Sequence, residues 1–410
     1  MRIVHAADIH LDSSLRGLSR LGDEDVARLL RQASRRALEN LVQLTVDERA
    51  AALVIAGDLY DGDWPDYATG RFFGQQMARL HEEGIAVFIA AGNHDAESEI
   101  TRSLRMPPNV TVLSTEAPQT VIRDDLGLAV HGQGFPTRAV TTNLALSYPG
   151  RLPGVVNVGI LHTAVAGAEG HAPYAPCTPE DLARTDYEYF ALGHVHDRYV
   201  VNDGYRVAAF SGNLQGRHPR ETGPKGALVV DVDADLRAEL RHVPLDVARW
   251  ARLTVDATDA ADLDEVLGRV EESLRDAKSG AAGRLLITRI DVTGTTPAAA
   301  PLADDERLAE EVGLIGDRHG VTVERVRSRA HAPAERQRLD PELLAAIRAA
   351  ADQLTADPAQ LHDVAHALDR EVGRDLRGDG LLDLKDGDAL ATVAADAART
   401  LLARLTGEAD

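Results

Sequence analysis

The sequence predicts an α/β protein with a layered sandwich over residues 1–245, a small α+β unit over 246–330 and a helical tail over 331–410. Three observations carry that expectation. Short β-branched runs alternate with helical stretches up to about residue 245, and runs such as Ala52-Leu53-Val54-Ile55-Ala56 are apolar throughout, as strands buried on both faces are. From about Trp250 the texture changes to a short β-α-β-α-β succession. Beyond Ala332-Pro333, the pairs Asp340-Pro341 and Asp357-Pro358 each place an N-cap before a proline at the first helical position.

In chain order, strands are expected at Arg2–Ala7, Ala52–Ala56 and Ala86–Ala90, separated by helices near 23–49 and 66–83. Later strands, Leu128–His131, Val156–Leu161, Tyr189–Leu192, Arg206–Phe210 and Ala227–Val232, follow with shorter connections, as in a sheet with antiparallel members. The small unit reads as strand Arg252–Val255, helix Asp262–Lys278, strand Arg284–Val292, helix Asp304–His319 and strand Thr322–Arg329. In the tail, Leu361, Val364, Leu368 and Val372 share one helical face, and Leu390, Val393, Ala397, Leu401 and Leu405 share another.

Composition narrows the function. The 410 residues hold 65 acidic and 44 basic side chains, a formal net charge of -21, with 44% hydrophobic and 27% charged residues. No run reaches the roughly 20 apolar residues that span a bilayer, so no membrane association is expected. The N-terminus enters a strand at once without a signal-peptide apolar region, and a single cysteine, Cys177, excludes an internal disulfide, so a cytoplasmic location is expected. The acidity argues against nucleic-acid binding through bulk positive charge. It is unevenly spread, however: residues 51–100 carry 9 acids and 2 bases, and residues 351–410 carry 13 acids and 6 bases.

Five short motifs fall after predicted strands. They are Asp8-Ile9-His10, Gly57-Asp58-Leu59-Tyr60-Asp61, Gly92-Asn93-His94-Asp95, His162, and Gly193-His194-Val195-His196. In an α/β sheet the crevice beyond the carboxyl ends of strands is where ligands bind, so these residues are expected to converge. Asp8, His10, Asp58, Asn93, His162, His194 and His196 supply carboxylate, amide and imidazole donors without a thiolate. Such mixed donors suit Mn, Fe or Zn in sites of higher coordination. Seven side chains can hold two ions if one carboxylate bridges, and Asp58 holds the central place in the order of motifs. Two ions roughly 3.5–4 Å apart activate water and stabilise phosphoryl transfer. Each fragment alone is a common turn or strand end; the ordered set of five is what points to a metal centre.

This order of motifs resembles the calcineurin-like metallophosphoesterase superfamily. The segments Ala7-Asp8-Ile9-His10-Leu11-Asp12 and Gly57-Asp58-Leu59-Tyr60-Asp61-Gly62 are similar to its DNA repair exonuclease branch. The segment from Ser211 to Arg220 is especially similar to bacterial YhaO-type exonucleases. The resemblance implies a layered metallophosphoesterase sandwich, a capping domain at 246–330 and an ATPase-binding segment in the tail. It implies that Asp8, His10, Asp58 and His196 hold one ion and that Asp58, Asn93, His162 and His194 hold the other. His94 matches the family's non-ligand histidine, which assists the transition state or protonates the leaving oxygen, and Asp61 stands where many phosphatases carry the carboxylate that orients it. Some archaeal members have histidine at the Asp61 position. Manganese is the ion implied, DNA the substrate, and a separate coiled-coil ATPase of the structural-maintenance type the partner. No P-loop occurs in the sequence, so ATP dependence would come from that partner. A homodimer is common in the family and has no signature in the sequence.

Arg217, Arg220 and Lys225 form a short basic loop after the His-x-His motif, read either as a solvated turn or as phosphate contacts. Tyr60 and Trp64 could stack on bases, although packing is the commoner use. His131 ends a strand and is expected to be structural. Two competing functions share the motifs: a small-substrate phosphoesterase with the same ions, and a scaffold that binds DNA ends without cutting.

Overall fold

The computed structural model describes residues 1–13, 24–61, 67–97, 106–165, 173–204, 206–333, 341–372 and 387–406. The chain divides into two compact units, Met1–Gly294 with Pro301–Ala330, and Thr295–Ala300 with His331–Asp410.

In the first unit, twelve strands build two six-stranded sheets. They are β1 (Arg2–Ala6), β2 (Ala52–Ala56), β3 (Ala86–Ala90), β4 (Val110–Val112), β5 (Gln119–Arg123) and β6 (Leu128–Gln133). There follow β7 (Val156–His162), β8 (Tyr189–Gly193), β9 (Tyr199–Asp203), β10 (Val207–Phe210), β11 (Gly226–Val232) and β12 (Ala238–Pro244). One sheet runs β12-β11-β1-β2-β3-β4, the other β5-β6-β7-β8-β10-β9. Strands β1 to β4 are parallel in the first, and β6, β7, β8 and β10 are parallel in the second.

The alternation of side chains explains the wholly apolar runs. Val54, Phe88, Val130, Ile160 and Tyr189 fill the space between the sheets. Leu53, Ile55 and Val87 point the other way, onto a layer that contains Leu38, Phe73 and Met77. Those residues belong to helices α2 (Ala33–Asp47) and α3 (Ala68–Glu82), which follow α1 (Glu24–Arg31). The single helix expected over 23–49 is thus two, separated by a turn at Gln32. The two halves serve different neighbours: Leu38 and Leu41 face the first sheet, whereas Leu30 packs with Trp250 and Ile287. On the outer face of the second sheet, Leu161, Phe190, Leu192 and Phe210 pack with Cys177 and with Leu182, the latter on α4 (Pro179–Ala183).

A third, parallel sheet follows, in the order β13 (Ala248–Asp256), β14 (Leu285–Thr293) and β15 (Val321–Ser328). Helices α5 (Leu263–Gly280) and α6 (Asp305–Arg318) bury Val266, Val270, Leu274, Leu308 and Val312. Each begins at an aspartate cap, Asp262 accepting from the Glu265 N–H and Asp304 from the Arg307 N–H.

The second unit contains helices α7 (Pro341–Ala356), α8 (Pro358–Val372) and α9 (Gly387–Thr406), which pack on one another. Proline opens α7 and α8 as the sequence indicates, and Asp357 Oδ1 accepts from the N–H of Ala359 at 3.0 Å. Asp340 lies outside the described residues. Leu361, Ala365 and Leu390 are buried, while Val364, Val393 and Leu401 remain exposed. Among the described residues no helix is long and apolar enough to cross a membrane.

Candidate metal centre

The motif residues gather at the carboxyl ends of β1, β2, β3, β7 and β8: His162 is the last residue of β7, and the others sit at or just beyond the ends of their strands. Their backbones take conformations that L-residues rarely adopt. Asp8 (φ 49°), His10 (φ 44°), Asp58 (φ 50°) and His194 (φ 102°) all have positive φ. Non-glycine residues there cost on the order of 1–3 kcal/mol each and persist only where surrounding bonds over-determine them. Those bonds are present: Asp8 N–H donates to Gly57 O (3.0 Å), His10 N–H to Asp58 O (3.0 Å) and His194 N–H to both Asp8 oxygens (3.1 Å each). The buried Asp95 carboxylate joins two loops by accepting from the N–H groups of Gly92 (2.9 Å), Tyr60 (2.9 Å) and Leu59 (3.1 Å). Burial and the nearby Asp58 push its carboxyl up to about 6.

Glycine is required in these turns for space. A Cβ at Gly92 would lie 2.2 Å from Asp58 Oδ1, and one at Gly193 would lie 1.8 Å from Ala56 O. The glycines therefore admit the carboxylate and the β2 carbonyl against the neighbouring loops.

Among the described His, Cys, Asp and Glu side chains, three overlapping sets place one donor atom each within 4.8 Å of one another. They are Asp8, His10 and His196; His10, Asp58 and His94; and Asp8, Asp58 and His162. Asp58 Oδ2 lies 3.8 Å from His10 Nε2 and 3.5 Å from His162 Nε2, which makes it central to the cluster. Asn93 Oδ1 lies 3.0 Å from His162 Nε2. His194 is in none of the three sets; its ring stands edge-on to that of His162, with centroids 5.2 Å apart.

Two observations show that this cluster fits cations. His10 is fully buried, yet neither ring nitrogen has a well-aligned hydrogen-bond partner. An unsatisfied buried donor or acceptor costs about 1–3 kcal/mol, so such a group signals a missing ligand. His162 Nδ1 donates to Ala56 O at 2.9 Å, which turns Nε2 toward two oxygens, Asn93 Oδ1 and Asp58 Oδ2. Three electron-rich atoms converging there need a proton or a metal between them. Without an ion the proton serves: burial opposes it, but Asp58 and Asp8 hold the His162 imidazole up at about 9. Burial likewise opposes ionisation of Asp58, yet His162, His10 and His94 hold its carboxyl well below the usual range.

Around these donors lies a layer of oriented groups. Asp61 Oδ1 lies 3.0 Å from His94 Nδ1 and 3.3 Å from His10 Nδ1, and its Oδ2 accepts from Ser13 Oγ at 2.7 Å. The adjacent imidazoles of His10 and His94 hold the Asp61 carboxyl far below its ordinary value, and Asp61 in turn raises the His94 imidazole. Arg217 Nη1 donates to Ser13 Oγ at 3.0 Å and lies 3.5 Å from Asp61 Oδ2. Lys225 is buried and spends its ammonium on His196 O (2.9 Å) and Asp197 Oδ1 (2.8 Å), so it braces the His-x-His loop. Arg220 is exposed.

His131 is buried between Thr120 Oγ1 (2.9 Å) and Asn157 Oδ1 (3.1 Å) and stacks on Tyr187, a structural use. Tyr60 is buried against Phe73 and cannot reach a base, and Trp64 lies outside the described residues. Glu221 is not apparent from the sequence, although it contacts His196 Nδ1 at 2.7 Å. Its one signal is that it is the sole acid between Ser211 and Gly226.

Comparison with known proteins gives two family matches. Residues 1–198 match the calcineurin-like phosphoesterase family, and residues 250–331 match the middle domain of metallophosphoesterase YhaO. The metallophosphoesterase YhaO of Bacillus subtilis is 31% identical over 301 residues, covering 72% of each chain. SbcD, a component of the SbcCD nuclease of Bacillus subtilis, is 24% identical over 336 residues, covering 71% of this chain and 82% of that one. The DNA double-strand break repair protein Mre11 of Methanopyrus kandleri is 28% identical over 218 residues, covering 48% of this chain and 44% of that one.

Proposed function

Because this chain belongs to the calcineurin-like metallophosphoesterase family, in the branch that holds YhaO, SbcD and Mre11, we propose that it is a metal-dependent DNA exonuclease/endonuclease. The observation that carries the reading is the convergence of buried carboxylates and imidazoles on Asp58, with His10 left without a well-aligned hydrogen-bond partner among them. In this reading Asp8, His10, Asp58 and His196 hold one divalent ion and Asp58, Asn93, His162 and His194 the other, with Mn²⁺ the preferred metal. Such ions, when bound, lower the pKa of water and neutralise charge on a phosphoryl group.

The chain's own residues do the remaining work. Asp61 takes Nδ1 of His94, leaving Nε2 to carry the proton that the departing 3′-oxygen needs, a role worth about 10²–10⁴-fold. Arg217 offers a guanidinium beside that pair for a non-bridging phosphate oxygen. Hydrogen bonds hold these groups before substrate arrives, His94 N–H to Asp58 Oδ1 (2.9 Å) and Ser13 Oγ between Asp61 and Arg217, so little reorganisation accompanies the reaction.

DNA rather than a small ester is favoured by the third sheet. Arg252 on β13, Arg289 on β14 and Arg325 on β15 stand side by side in register, one per strand. Like charges directly opposite are destabilising. Glu324 offsets Arg289, and Asp291 lies between Arg252 (3.7 Å) and Arg329 (3.9 Å), so the arginines at this end, with Arg327 among them, outnumber the acids that face them. A polyanionic strand would balance the row. The tail helices, with Val364, Val393 and Leu401 exposed, fit the docking of a coiled-coil ATPase of the structural-maintenance type. In this organisation residues 1–245 form the nuclease domain, 246–330 the capping domain and 331–410 the partner-binding segment.

The test is a parallel assay of purified protein and its His94→Gln variant, with Mn²⁺, on labelled DNA, a cyclic nucleotide and a phosphomonoester. Cleavage of DNA by the wild type and its loss in the variant is the expected outcome. Turnover of the small substrates with DNA untouched would sink the nuclease reading. No turnover of any substrate, even with a candidate ATPase added, would favour the scaffold.

A further inference from the structure

We infer that Glu221 is a positioning residue that fixes the ring of His196 so that Nε2 is its metal-facing nitrogen. The inference rests on the proposed role of His196 as a ligand. His196 Nδ1 lies 2.7 Å from Glu221 Oε1, and His196 Nε2 lies 3.8 Å from Asp8 Oδ1. An ionised carboxylate only accepts, so Nδ1 carries the hydrogen and Nε2 presents its lone pair toward the Asp8 side. The other carboxylate oxygen is itself held: Glu221 Oε2 accepts from Arg217 N–H at 2.6 Å and from Asn213 Nδ2 at 3.0 Å. With three donors on it and its side chain 15% exposed, the carboxylate has little freedom to turn away.

The loop that bears Glu221 is fastened to the third sheet. Gln215 Oε1 accepts from Val247 N–H (2.9 Å), Gln215 Nε2 donates to Ala248 O (2.6 Å), and Trp250 Nε1 donates to Gly216 O (3.2 Å). Beyond Glu221, Gly223 N–H donates to Trp250 O at 3.2 Å. A Cβ at Gly216 would lie 2.8 Å from Glu221 O, so the loop closes tightly on itself. His162, by contrast, is oriented by a neutral backbone carbonyl, Ala56 O. The two halves of the centre are thus aimed by different groups, and removing the Glu221 charge should affect one ion and spare the other.

The experiment is calorimetric titration of Mn²⁺ into the metal-free full chain, wild type and Glu221→Gln, with thermal unfolding and imidazole ¹⁵N NMR on both. Gln keeps an oxygen for Arg217 and Asn213, but its amide donates to Nδ1 and forces the hydrogen onto Nε2. The expected result is two ions on the wild type, and in the variant one site weakened about 10–100-fold with the other unchanged. The melting temperature stays close to that of the wild type, and the neutral His196 ring carries its hydrogen on Nδ1 in the wild type and on Nε2 in the variant. Equal affinity for both ions in the two proteins overturns the inference. So does a parallel loss of both sites together with stability, which is the signature of a merely structural residue. If the wild type binds no ion, the metal-centre reading fails first and takes this one with it. Should the variant not fold, the wild-type spectrum decides: His196 Nδ1–H supports the inference and Nε2–H refutes it.

Discussion

Asp61 meets His94, His10, Ser13 and Arg217 within 3.5 Å, and the chemistry at the residue scale turns on it. Its bond is the largest influence raising the His94 imidazole above its ordinary value. In the proposed reading His94 is the general acid and must hold its proton, so the raised value should extend activity toward alkaline pH. Replacing Asp61 by Asn should shift the alkaline limb of the kcat profile to lower pH and reduce turnover about 10–100-fold, against about 10²–10⁴-fold for His94→Gln. An unchanged limb in Asp61→Asn would show that Asp61 does not act through His94. Gly92→Ala should weaken ion binding by at least about tenfold, measured by calorimetry, because the new methyl occupies the place of Asp58 Oδ1. The clustered donor residues and their glycines were legible in the sequence because four of the motifs are contiguous segments after a strand and His162 ends one. Glu221 was not, because its partner His196 is 25 residues away and only the folded loops bring them together. Lys225 looked like a surface base for a related reason: the sequence does not reveal that the His196 carbonyl and Asp197 enclose its ammonium.

Among the elements, the strands that were not legible in the sequence share one property. Strands β4 and β12 flank the first sheet, and β5 and β9 flank the second, so all four are edges. A central strand buries both faces and reads as a continuous apolar run. An edge strand keeps one flank in water, and β5 and β12 accordingly alternate half-buried and exposed residues. The helix break at Gln32 was illegible because it depends on two separate packing partners, not on any local breaker. Asp95 shows how elements are held: it ties the loop after β3 to the loop after β2 through three backbone N–H groups. Asp95→Ala strands those buried donors and should lower unfolding stability by about 1–3 kcal/mol, measured by denaturant titration. The arginine row on the third sheet gives a second expectation. Changing Arg252, Arg325 and Arg327 to Ala should weaken DNA binding and lower the slope of log affinity against log salt by about one for each phosphate no longer neutralised. Hydrolysis of a small phosphodiester should be unaffected by the same triple change, because the row lies outside the donor cluster.

For the molecule as a whole, a net charge of -21 opposes DNA only if it is spread evenly. One acidic block, residues 51–100, contains Asp58 and Asp61 of the centre, where two divalent cations would reverse the local field. Another, residues 351–410, falls in the second compact unit. The arginines of the third sheet then supply a local positive surface on an acidic protein, so intrinsic DNA affinity should be modest and steeply salt-dependent. All of this depends on one claim, that the cluster around Asp58 holds two metal ions. Anomalous diffraction from crystals grown with Mn²⁺ tests it most directly. Two peaks are expected, one among Asp8, His10, Asp58 and His196 and one among Asp58, Asn93, His162 and His194; a single peak, or none within reach of Asp58, would contradict it.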